Sequence, residues 1–234
     1  MNVLITGASR GIGKALAVKF ATIGNNRVFL CARNAAALNE VREELANTTL
    51  KANVEVFAGD VTSFEEVTDL FNWTKEHTPL IDVLINNAGE FLPGSIHNEE
   101  EGLLEKMIES NLYSAYRVTR AFLPMFMEAR AGHIFNMCSI ASLQAYANGG
   151  SYSISKFALA GLSKNLREEL KPYNIKVTTV YPGAVYTDSW AGSDIEPERI
   201  MDVNDIAEMI YAASFLSPQA CVEEIILRPQ LGDL

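Results

Sequence analysis

The sequence predicts an α/β fold: a single doubly wound domain in which helices cover both faces of a parallel seven-stranded sheet. Short apolar segments alternate with helical segments along all 234 residues, and such segments are typical of strands buried on both faces. A glycine-rich stretch, residues 6–13, directly follows the first apolar segment, where a doubly wound fold turns from strand to helix. No linker, repeat or low-complexity stretch divides the chain, so we expect residues 1–234 to form one domain.

The strands are predicted at short runs of β-branched and other apolar residues. In chain order they are Val3–Ile5, Arg27–Cys31, Val54–Phe57, Ile81–Ile85, His133–Met137, Ile175–Val180 and Val222–Leu227. The helices are predicted where apolar residues recur with helical spacing. They are Ile12–Ile23, Ala35–Ala46, Phe64–Glu76, Leu103–Ala129, Tyr152–Leu170 and Asn204–Phe215. The helix that starts at Tyr152 ends before Pro172, because proline cannot continue the hydrogen bonds of a helix.

The composition excludes several classes of function. The chain is 48% hydrophobic and 21% charged, as expected of a globular protein with a substantial core. Its net charge of −10 repels phosphate backbones, so we expect no nucleic-acid partner. The N-terminus lacks the pattern of a signal peptide, and no stretch reaches the roughly 18 apolar residues of a membrane span. We therefore expect a cytoplasmic protein with no membrane association.

The cysteines and histidines do not predict a metal site or a disulfide framework. Three scattered cysteines have neither the even number of a disulfide framework nor the spacing of a zinc site, and the three histidines show no ligand spacing. These residues are Cys31, Cys138, Cys221, His77, His97 and His133. We expect no metal, and cysteines that stay reduced.

The glycine-rich turn has the pattern of a dinucleotide-binding turn. Its glycines permit a tight turn and let the backbone approach a pyrophosphate, while the next helix offers free N–H groups at its N-terminus. The spacing Gly-x-x-x-Gly-x-Gly is one residue longer than the common fingerprint. We expect this turn to bind the cofactor through Gly7, Ser9, Arg10, Gly11, Ile12 and Gly13.

The end of the second strand indicates which nicotinamide cofactor is preferred. An acidic residue there would bind the adenosine ribose hydroxyls and repel a 2′-phosphate. The strand instead ends in Cys31-Ala32-Arg33-Asn34, so a guanidinium follows, and Arg10 supplies a second positive group. Guanidinium groups bind phosphate through two N–H groups at once. We predict that NADP(H) is preferred over NAD(H); two solvated surface arginines are the alternative.

Tyr152 and Lys156 are four residues apart in a predicted helix and therefore lie on one face of it. A nearby ammonium group favours the phenolate and lowers the tyrosine pKa from its free value of about 10. The phenol could then exchange a proton near neutral pH. The Tyr-x-x-x-Lys pattern is common by chance, but Ser139, thirteen residues upstream, adds weight to it.

Together these features resemble the short-chain dehydrogenase/reductase family over nearly the whole chain, which implies a Rossmann-type domain. Further positions match the family's pattern: Asp60-Val61 after the third strand, Asn86-Asn87-Ala88-Gly89 after the fourth, Asn111 in the long helix, and Tyr181-Pro182-Gly183 through Thr187 after the sixth. The resemblance implies that Asp60 and Val61 contact the adenine. It also places Asn87, Ala88 and Gly89 beside the cofactor, and Pro182, Gly183, Val185 and Thr187 near the nicotinamide carboxamide. The two asparagines could also simply satisfy buried backbone groups.

The resemblance also implies a mechanism, hydride transfer between nicotinamide C4 and a carbonyl or alcohol carbon. In the reducing direction Tyr152 is the general acid, and Ser139 hydrogen-bonds the same oxygen. Lys156 lowers the pKa of Tyr152 and binds the nicotinamide ribose hydroxyls. Asn111, the fourth catalytic residue of the family, would hold a water that connects Lys156 to solvent.

Three loops are expected to line the substrate pocket over the nicotinamide: Glu90–His97, Ile140–Gly150 and residues from about 185 to 200. Glu90 stands where the family usually has an apolar residue, and is either a polar substrate contact or a solvated side chain. Trp190 could stack on a flat substrate or pack as a lid.

Two substrate classes remain open. The stretch Pro182–Thr187 and the ending Val222–Pro229 resemble sepiapterin-reductase-type members of the family, which favours a pterin side-chain ketone or another small ketone. A 3-oxoacyl-carrier-protein reductase is the alternative. Its acidic partner would be repelled by the net charge, although Lys164, Arg167 and Lys171 offer local positive charge.

A non-catalytic dinucleotide-binding sensor or scaffold is the alternative from another class, since a fold does not determine a function. Retention of both Tyr152 and Lys156 argues against it. We also expect a homodimer or homotetramer, because related enzymes pair through two long helices, here Leu103–Ala129 and Tyr152–Leu170. Leucines of the second helix fit either such an interface or burial against the sheet: Leu159, Leu162 and Leu166.

Overall fold

The computed structural model describes residues 1–48, 53–187 and 196–233, and within them seven strands form one sheet. The strands are β1 (Asn2–Thr6), β2 (Arg27–Ala32), β3 (Asn53–Ala58), β4 (Val83–Asn86), β5 (Gly132–Met137), β6 (Ile175–Pro182) and β7 (Glu224–Leu227). Their order is β3-β2-β1-β4-β5-β6-β7, and all neighbours are parallel. The predicted α/β fold with a parallel seven-stranded sheet is confirmed.

Helices cover both faces of this sheet. They are α1 (Gly11–Thr22), α2 (Ala35–Thr48), α3 (Phe64–His77), α4 (Leu103–Ile108), α5 (Ser114–Ala129), α6 (Gly150–Leu170) and α7 (Val203–Ser214). Helices α1, α2 and α7 share one apolar core with Val3 and Ile5, whereas α3, α5 and α6 share another with Leu4. Because side chains alternate between the faces of a strand, the apolar run of β1 supplies both cores.

The long helix predicted at Leu103–Ala129 is not continuous. A π-helical turn, Glu109–Tyr113, separates α4 from α5. Such turns are rare and occur frequently at functional sites, and this one contains Asn111.

The strand order reverses between β1 and β4. The chain runs from β1 outward to β2 and β3, then returns to the other side of β1 as β4. In a parallel sheet a crevice forms outside the carboxyl ends of the strands at such a reversal. Thr6 and Asn86 are the last residues of the two strands, so the glycine-rich turn and residues 87–89 border this crevice.

A chain of buried side-chain hydrogen bonds ties the middle of the sheet to two helices. Asn86 Nδ2 donates to Thr119 Oγ1 of α5 and to Asn136 Oδ1 of β5, both at 2.8 Å. Asn136 Nδ2 donates to Ser163 Oγ of α6 at 3.1 Å, and Ser163 in turn pairs with Thr179 of β6 at 2.6 Å. Buried polar groups need such partners, so the network fixes how α5 and α6 sit on β4, β5 and β6.

The helices and the cysteines of the described residues can be compared with what the sequence predicts about membrane spans and free thiols. None of the helices in the described part of the chain combines the length and apolar character that a membrane crossing requires. Burial raises the pKa of the thiols of Cys31 and Cys138 to about 12, so both stay protonated.

We predict that Phe122→Ala lowers the free energy of unfolding by about 3–5 kcal/mol, because it opens a cavity in the core that α3 and α5 share. The Phe122 side chain is fully buried and packs edge-on against Phe71, with ring centroids 5.2 Å apart. Phe64→Ala is the matched control, since Phe64 is 77% exposed and its removal should cost no more than about 0.5 kcal/mol. Urea denaturation measures both, and equal losses would contradict the assignment of the core.

Candidate active site

The glycine-rich turn is bound to the end of β4 by Asn87. The Asn87 side-chain amide donates to the carbonyl oxygens of Thr6 at 3.0 Å and Gly7 at 3.1 Å. In return, the Thr6 hydroxyl accepts the backbone N–H groups of Asn87 and Ala88, at 3.1 and 3.0 Å. The predicted second role of Asn87, to satisfy backbone groups, is therefore seen directly.

The close packing of this turn explains two of its glycines. A methyl group at Gly13 would lie 2.2 Å from the Gly7 carbonyl oxygen and 2.6 Å from Asn87 Nδ2. At Gly7 the backbone has φ +65°, and a methyl group would lie 2.9 Å from the Ala88 Cα. Neither position accepts a side chain, because the turn packs closely on itself and on the end of β4. Close packing of the turn and the helix that follows is one of the reasons why dinucleotide-binding turns contain glycine.

The basic residues predicted to select the cofactor are exposed. Arg10 immediately precedes α1 in extended conformation, and Arg33 immediately follows β2. Within the described residues neither guanidinium forms an ion pair or a side-chain hydrogen bond. Both are therefore available to an anionic group at this edge of the sheet.

The pair Asp60-Val61 lies in the turn between β3 and α3. Asp60 Oδ1 accepts hydrogen bonds from the Thr62 backbone N–H at 2.9 Å and from the Thr62 hydroxyl at 2.8 Å. The Val61 side chain is nearly buried and packs in the core of the α3 face. The position of the turn is thus fixed, and the predicted contact with adenine stays a prediction.

Ser139 is held at the end of β5 by the backbone that follows it. Its hydroxyl accepts the Ala141 N–H at 3.1 Å, and its own N–H donates to Ser142 Oγ at 3.2 Å. The two bonds form a reciprocal cap on a short 3₁₀ turn, Ile140–Ser142. The nearly buried Ser139 hydroxyl also lies near the Tyr152 phenol and acts to lower its pKa. The structure therefore brings these two predicted catalytic residues together.

Lys156 lies one helical turn beyond Tyr152 and is buried beneath it. Its Nζ is 5.8 Å from the centroid of the Tyr152 ring and donates to the Met137 carbonyl oxygen at 2.8 Å. That carbonyl was not identifiable from the sequence, because any residue can supply a backbone oxygen. Burial lowers the pKa of Lys156 below its ordinary value of 10.5.

The pKa of Tyr152 is raised in this structure, whereas the sequence pattern predicts that Lys156 lowers it. Burial raises the pKa above 10.0, because a charged phenolate loses more hydration free energy than a neutral phenol when it leaves water. The nearby Ser139 hydroxyl lowers the pKa and so opposes this rise in part. The phenol is therefore protonated at neutral pH. This is the form that a general acid needs.

Asn111 is fully buried in the π-helical turn, and its side chain binds the segment after β4. Its Oδ1 accepts the Glu90 N–H at 2.8 Å, while its Nδ2 donates to the Glu90 carbonyl at 3.0 Å and to Ser155 Oγ at 3.0 Å. A methyl group at Gly89 would lie 2.6 Å from Asn111 Oδ1 and 3.4 Å from Lys156 Nζ. Asn111 thus lies beside Lys156 as predicted, and the water that it would hold stays a prediction.

The segment after Gly89 contributes one residue that the sequence did not single out. The Phe91 ring is 53% exposed and packs edge-on against Tyr152, with centroids 4.8 Å apart. Phe91 falls within the predicted loop Glu90–His97, but nothing in the sequence placed its ring against the phenol. Glu90 itself points to a surface lysine, with Oε1 3.6 Å from Lys106 Nζ.

The segment after β6 approaches the glycine turn. A methyl group at Gly11 would lie 3.4 Å from the Thr187 methyl group, so these two predicted cofactor contacts are neighbours. Val185 is buried, and the Gly183 N–H donates to Leu227 at 2.7 Å, which fixes the segment to β7. The remaining predicted contact, Pro182, is the last residue of β6. Residues 188–195, and with them Trp190, lie outside the described residues.

Metal ligands are not brought together by this arrangement. Within residues 1–48, 53–187 and 196–233, no three His, Cys, Asp or Glu side chains are placed as ligands of one ion. His133 is buried and pairs with Thr178 Oγ1 at 2.7 Å, which is a structural role.

We predict that the pKa of Tyr152 in the cofactor-free protein lies above the ordinary tyrosine value of 10.0, because burial disfavours the phenolate. A titration of ¹³Cζ-labelled tyrosine by NMR measures this, with Tyr152→Phe to assign the resonance. A titration midpoint below pH 10.0 would show that the positive charge of Lys156 stabilises the phenolate by more than burial destabilises it.

Known proteins resemble this chain in sequence and in fold. The model of the family described as short chain dehydrogenase matches residues 1–197. A sepiapterin reductase of Chlorobaculum tepidum is 32% identical, covering 99% of this chain and 97% of its own. The closed form of a serine dehydrogenase complexed with NADP⁺ has a TM-score of 0.90 at 28% identity, covering 100% of this chain and 97% of its own. A β-ketoacyl-[ACP] reductase of Bacteroides thetaiotaomicron has a TM-score of 0.85 at 30% identity, covering 98% and 97%.

The family model covers far more than half of the chain, and the solved relatives share its architecture from end to end. A relative at this level of identity also spans nearly its whole length. The chain therefore belongs to the short-chain dehydrogenase/reductase family of oxidoreductases.

Proposed function

We propose that residues 1–234 form one NADP(H)-dependent oxidoreductase domain that transfers a hydride between the nicotinamide and a carbonyl or alcohol carbon. The observation that carries the proposal is the convergence of Ser139, Tyr152 and Lys156 at the carboxyl end of β5. The Ser139 hydroxyl acts on the pKa of Tyr152 from close by, and Lys156 Nζ lies 5.8 Å from the centroid of the Tyr152 ring. Three polar side chains held this closely, with two of them buried, support proton transfer rather than a surface role.

The residues present fit a nicotinamide dinucleotide. Gly7 and Gly13 let the turn pack closely on the end of β4, and α1 begins within the turn at Gly11. The helix dipole and free N–H groups favour the pyrophosphate there. The exposed guanidinium groups of Arg10 and Arg33 are suited to the 2′-phosphate of NADP(H).

When bound, the cofactor supplies the hydride for the carbonyl carbon. Tyr152 donates its phenolic proton to the carbonyl oxygen as the negative charge develops on it, and the raised pKa keeps that proton in place beforehand. Ser139 orients and stabilises the same oxygen through its hydroxyl. The proton balance is closed when the phenolate is protonated again from solvent.

Lys156 has two roles in this proposal. Its buried ammonium stabilises the phenolate that remains after proton transfer, because an opposite charge at short range favours the ionised form. Its contact with the Met137 carbonyl keeps Nζ at the floor of the site, where ribose hydroxyls can also bind. Asn111 supports Lys156 by fixing the backbone of Gly89 and Glu90 beside it.

We propose a small ketone with a flat conjugated group, such as a pterin side-chain ketone, as the substrate class. Phe91 offers a half-exposed aromatic ring directly beside Tyr152, where the group next to the reacting carbonyl would lie. Flat rings pack well against such a ring. The relative named sepiapterin reductase, 32% identical over almost the full length, favours the same class.

The structure weakens the case for an acidic carrier protein as the partner. The basic side chains that could attract it are each paired with a glutamate: Lys164 with Glu224 at 3.7 Å, Arg167 with Glu223 at 2.9 Å, and Lys171 with Glu168 at 2.5 Å. Their local charge is thus largely neutralised, and the net charge of −10 remains. The similarity to a β-ketoacyl-[ACP] reductase keeps this second candidate open to test.

The oligomer is proposed to form through outward faces of α5, the π-helical turn and α6. Their exposed apolar side chains are Tyr113, Tyr116, Ile154 and Phe157. The leucines considered for this role face inward instead, with Leu159 and Leu166 buried and Leu162 partly buried. Of the two interpretations for these leucines, the structure therefore favours burial within the chain.

A homodimer or homotetramer and a cytoplasmic location stay predictions.

The test of the proposed function is the oxidation of NADPH by a panel of sepiapterin, aromatic ketones, diketones and acetoacetyl thioesters. Tyr152→Phe should lower the turnover number by about a hundredfold or more, because the proton donor is lost. The affinity for NADPH, measured by fluorescence titration, should stay within about twofold, because the phenol is not needed for the pyrophosphate site. Tyr173→Phe, beyond the far end of α6, is the control and should leave both unchanged.

A result in which no ketone is reduced while NADPH still binds would favour the sensor or scaffold instead. Turnover of thioesters alone would favour the carrier-protein reductase. Loss of NADPH binding in Tyr152→Phe would contradict the role given to the phenol.

We also predict that Arg33→Ala weakens NADPH binding by about tenfold or more, because a charge-assisted bond to the 2′-phosphate is lost. NADH binding should change by no more than about twofold, since NADH lacks that phosphate. Arg42→Ala, an exposed arginine of α2, is the matched control. Isothermal titration calorimetry measures the affinities of the unaltered protein and of both variants for NADPH and NADH. An equal loss of NADH binding in Arg33→Ala would contradict the proposed preference for NADP(H).

A further inference from the structure

The carboxylate of Glu99 binds the first turn of α6. Its Oε1 accepts a hydrogen bond from Ser151 Oγ at 2.5 Å, and its Oε2 accepts one from the Ser151 N–H at 3.3 Å. The residue before α6, Gly149, has no side chain to cap the helix. The free N–H groups at a helix N-terminus need partners, and an anionic partner also favours the helix dipole. A distant segment supplies this cap.

That segment, residues 90–102, has little apolar packing to hold it. None of its residues is buried, and a cavity of about 590 Å³ lies against it. Besides the Phe91–Tyr152 ring contact, it is bound near the start of α6 by hydrogen bonds: the Gly94 N–H donates to the Asn148 carbonyl at 3.0 Å, and Ser95 Oγ donates to Asn148 Oδ1 at 3.1 Å. Beyond Glu90, which Asn111 binds, hydrogen bonds to residues 148–151 are the main polar contacts that hold the segment.

The approach of this segment to α6 requires a glycine at the start of the helix. A methyl group at Gly150 would lie 2.5 Å from the Gly94 carbonyl oxygen and 2.6 Å from Glu99 Oε2. The backbone of Gly150 also has φ +28°, a conformation that residues with a side chain rarely adopt. The Glu99 carboxylate thus packs directly against the backbone of Gly150, where a larger residue would displace it.

The two parts joined by Glu99 carry two aromatic residues that are in contact at the proposed active site. Tyr152 directly follows Ser151 in α6, and Phe91 lies in the 90–102 segment with its ring against Tyr152. A shift of the segment would move Phe91 relative to the phenol. A loosened first turn of α6 would move the phenol itself.

We propose that Glu99 is a positioning residue for carbonyl reduction: by binding Ser151 it keeps Tyr152 and Phe91 in the relative position that the reaction needs. It acts through Ser151 and touches neither the reacting atoms nor the cofactor. The inference rests on the proposed function. It adds to it a role for a residue that the Ser139, Tyr152 and Lys156 pattern does not include.

The test compares Glu99→Ala with Glu99→Gln, using the ketone that the unaltered protein reduces best. Small displacements of a reacting group lower rates by factors of about 10 to 100, so the turnover number of Glu99→Ala should fall in this range. Its affinity for NADPH should stay within about twofold, because Asn87 holds the glycine turn independently. Glu99→Gln keeps the length and one acceptor oxygen, and should recover most of the rate.

The matched control is Glu101→Ala, an exposed carboxylate of the same segment that forms no hydrogen bond or ion pair within the described residues. It should leave the rate unchanged. A Glu99→Ala rate within about twofold of the unaltered protein would overturn the proposal. A parallel loss of NADPH affinity would do so too, because it would indicate general loosening of the fold.

Amide hydrogen exchange separates this inference from the proposed function. The Ser153 N–H is bonded to the Gly149 carbonyl at 2.8 Å, so a peptide covering residues 146–153 reports on the first turn of α6. Its exchange should be faster in Glu99→Ala, with peptides of α5 unchanged. Unchanged exchange would overturn the capping contact. If exchange is faster in Glu99→Ala but the unaltered protein reduces no ketone, the capping contact stands. The proposed function, and with it the role of Glu99 in the reaction, would then be overturned.

Discussion

The contact between the glycine turn and the end of β4 is the constraint on which the site depends. The Asn87 amide binds two carbonyl oxygens of the turn, and Gly13 packs against one of them with no room for a side chain. This contact joins the two strands between which the sheet order reverses. It fixes where α1 begins relative to the end of β4. The proposed dinucleotide site therefore rests on backbone packing at this contact.

The chemistry at the other side of the crevice depends on burial rather than on the sign of the nearest charge. Lys156 Nζ lies 5.8 Å from the centroid of the Tyr152 ring, yet desolvation shifts both groups toward their neutral forms. The Met137 carbonyl offsets part of this cost for Lys156. The result is a phenol that keeps its proton at neutral pH, as the proposed general acid requires.

The rigid and the adaptable parts of the site are held by different forces. Ser139, Lys156 and Asn111 are buried on elements that pack on the sheet, and the network through Asn86 and Asn136 fixes those elements. The 90–102 segment has no apolar core of its own and is held by polar contacts. Loops on a rigid scaffold commonly carry specificity, and Phe91 lies on such a loop here.

The sequence by itself determined the α/β fold and the order of strands and helices, because hydrophobic periodicity and glycine spacing are local properties of the chain. The catalytic candidates came from the resemblance of short motifs to those of a known family. The sequence did not determine the break at Glu109–Tyr113, the Met137 contact, the raised pKa of Tyr152 or the pairing of Glu99 with Ser151. Each depends on residues far apart in the chain, or on how deeply a group is buried. Only the tertiary structure decides those distances and the loss of water, and they set the chemistry of the site.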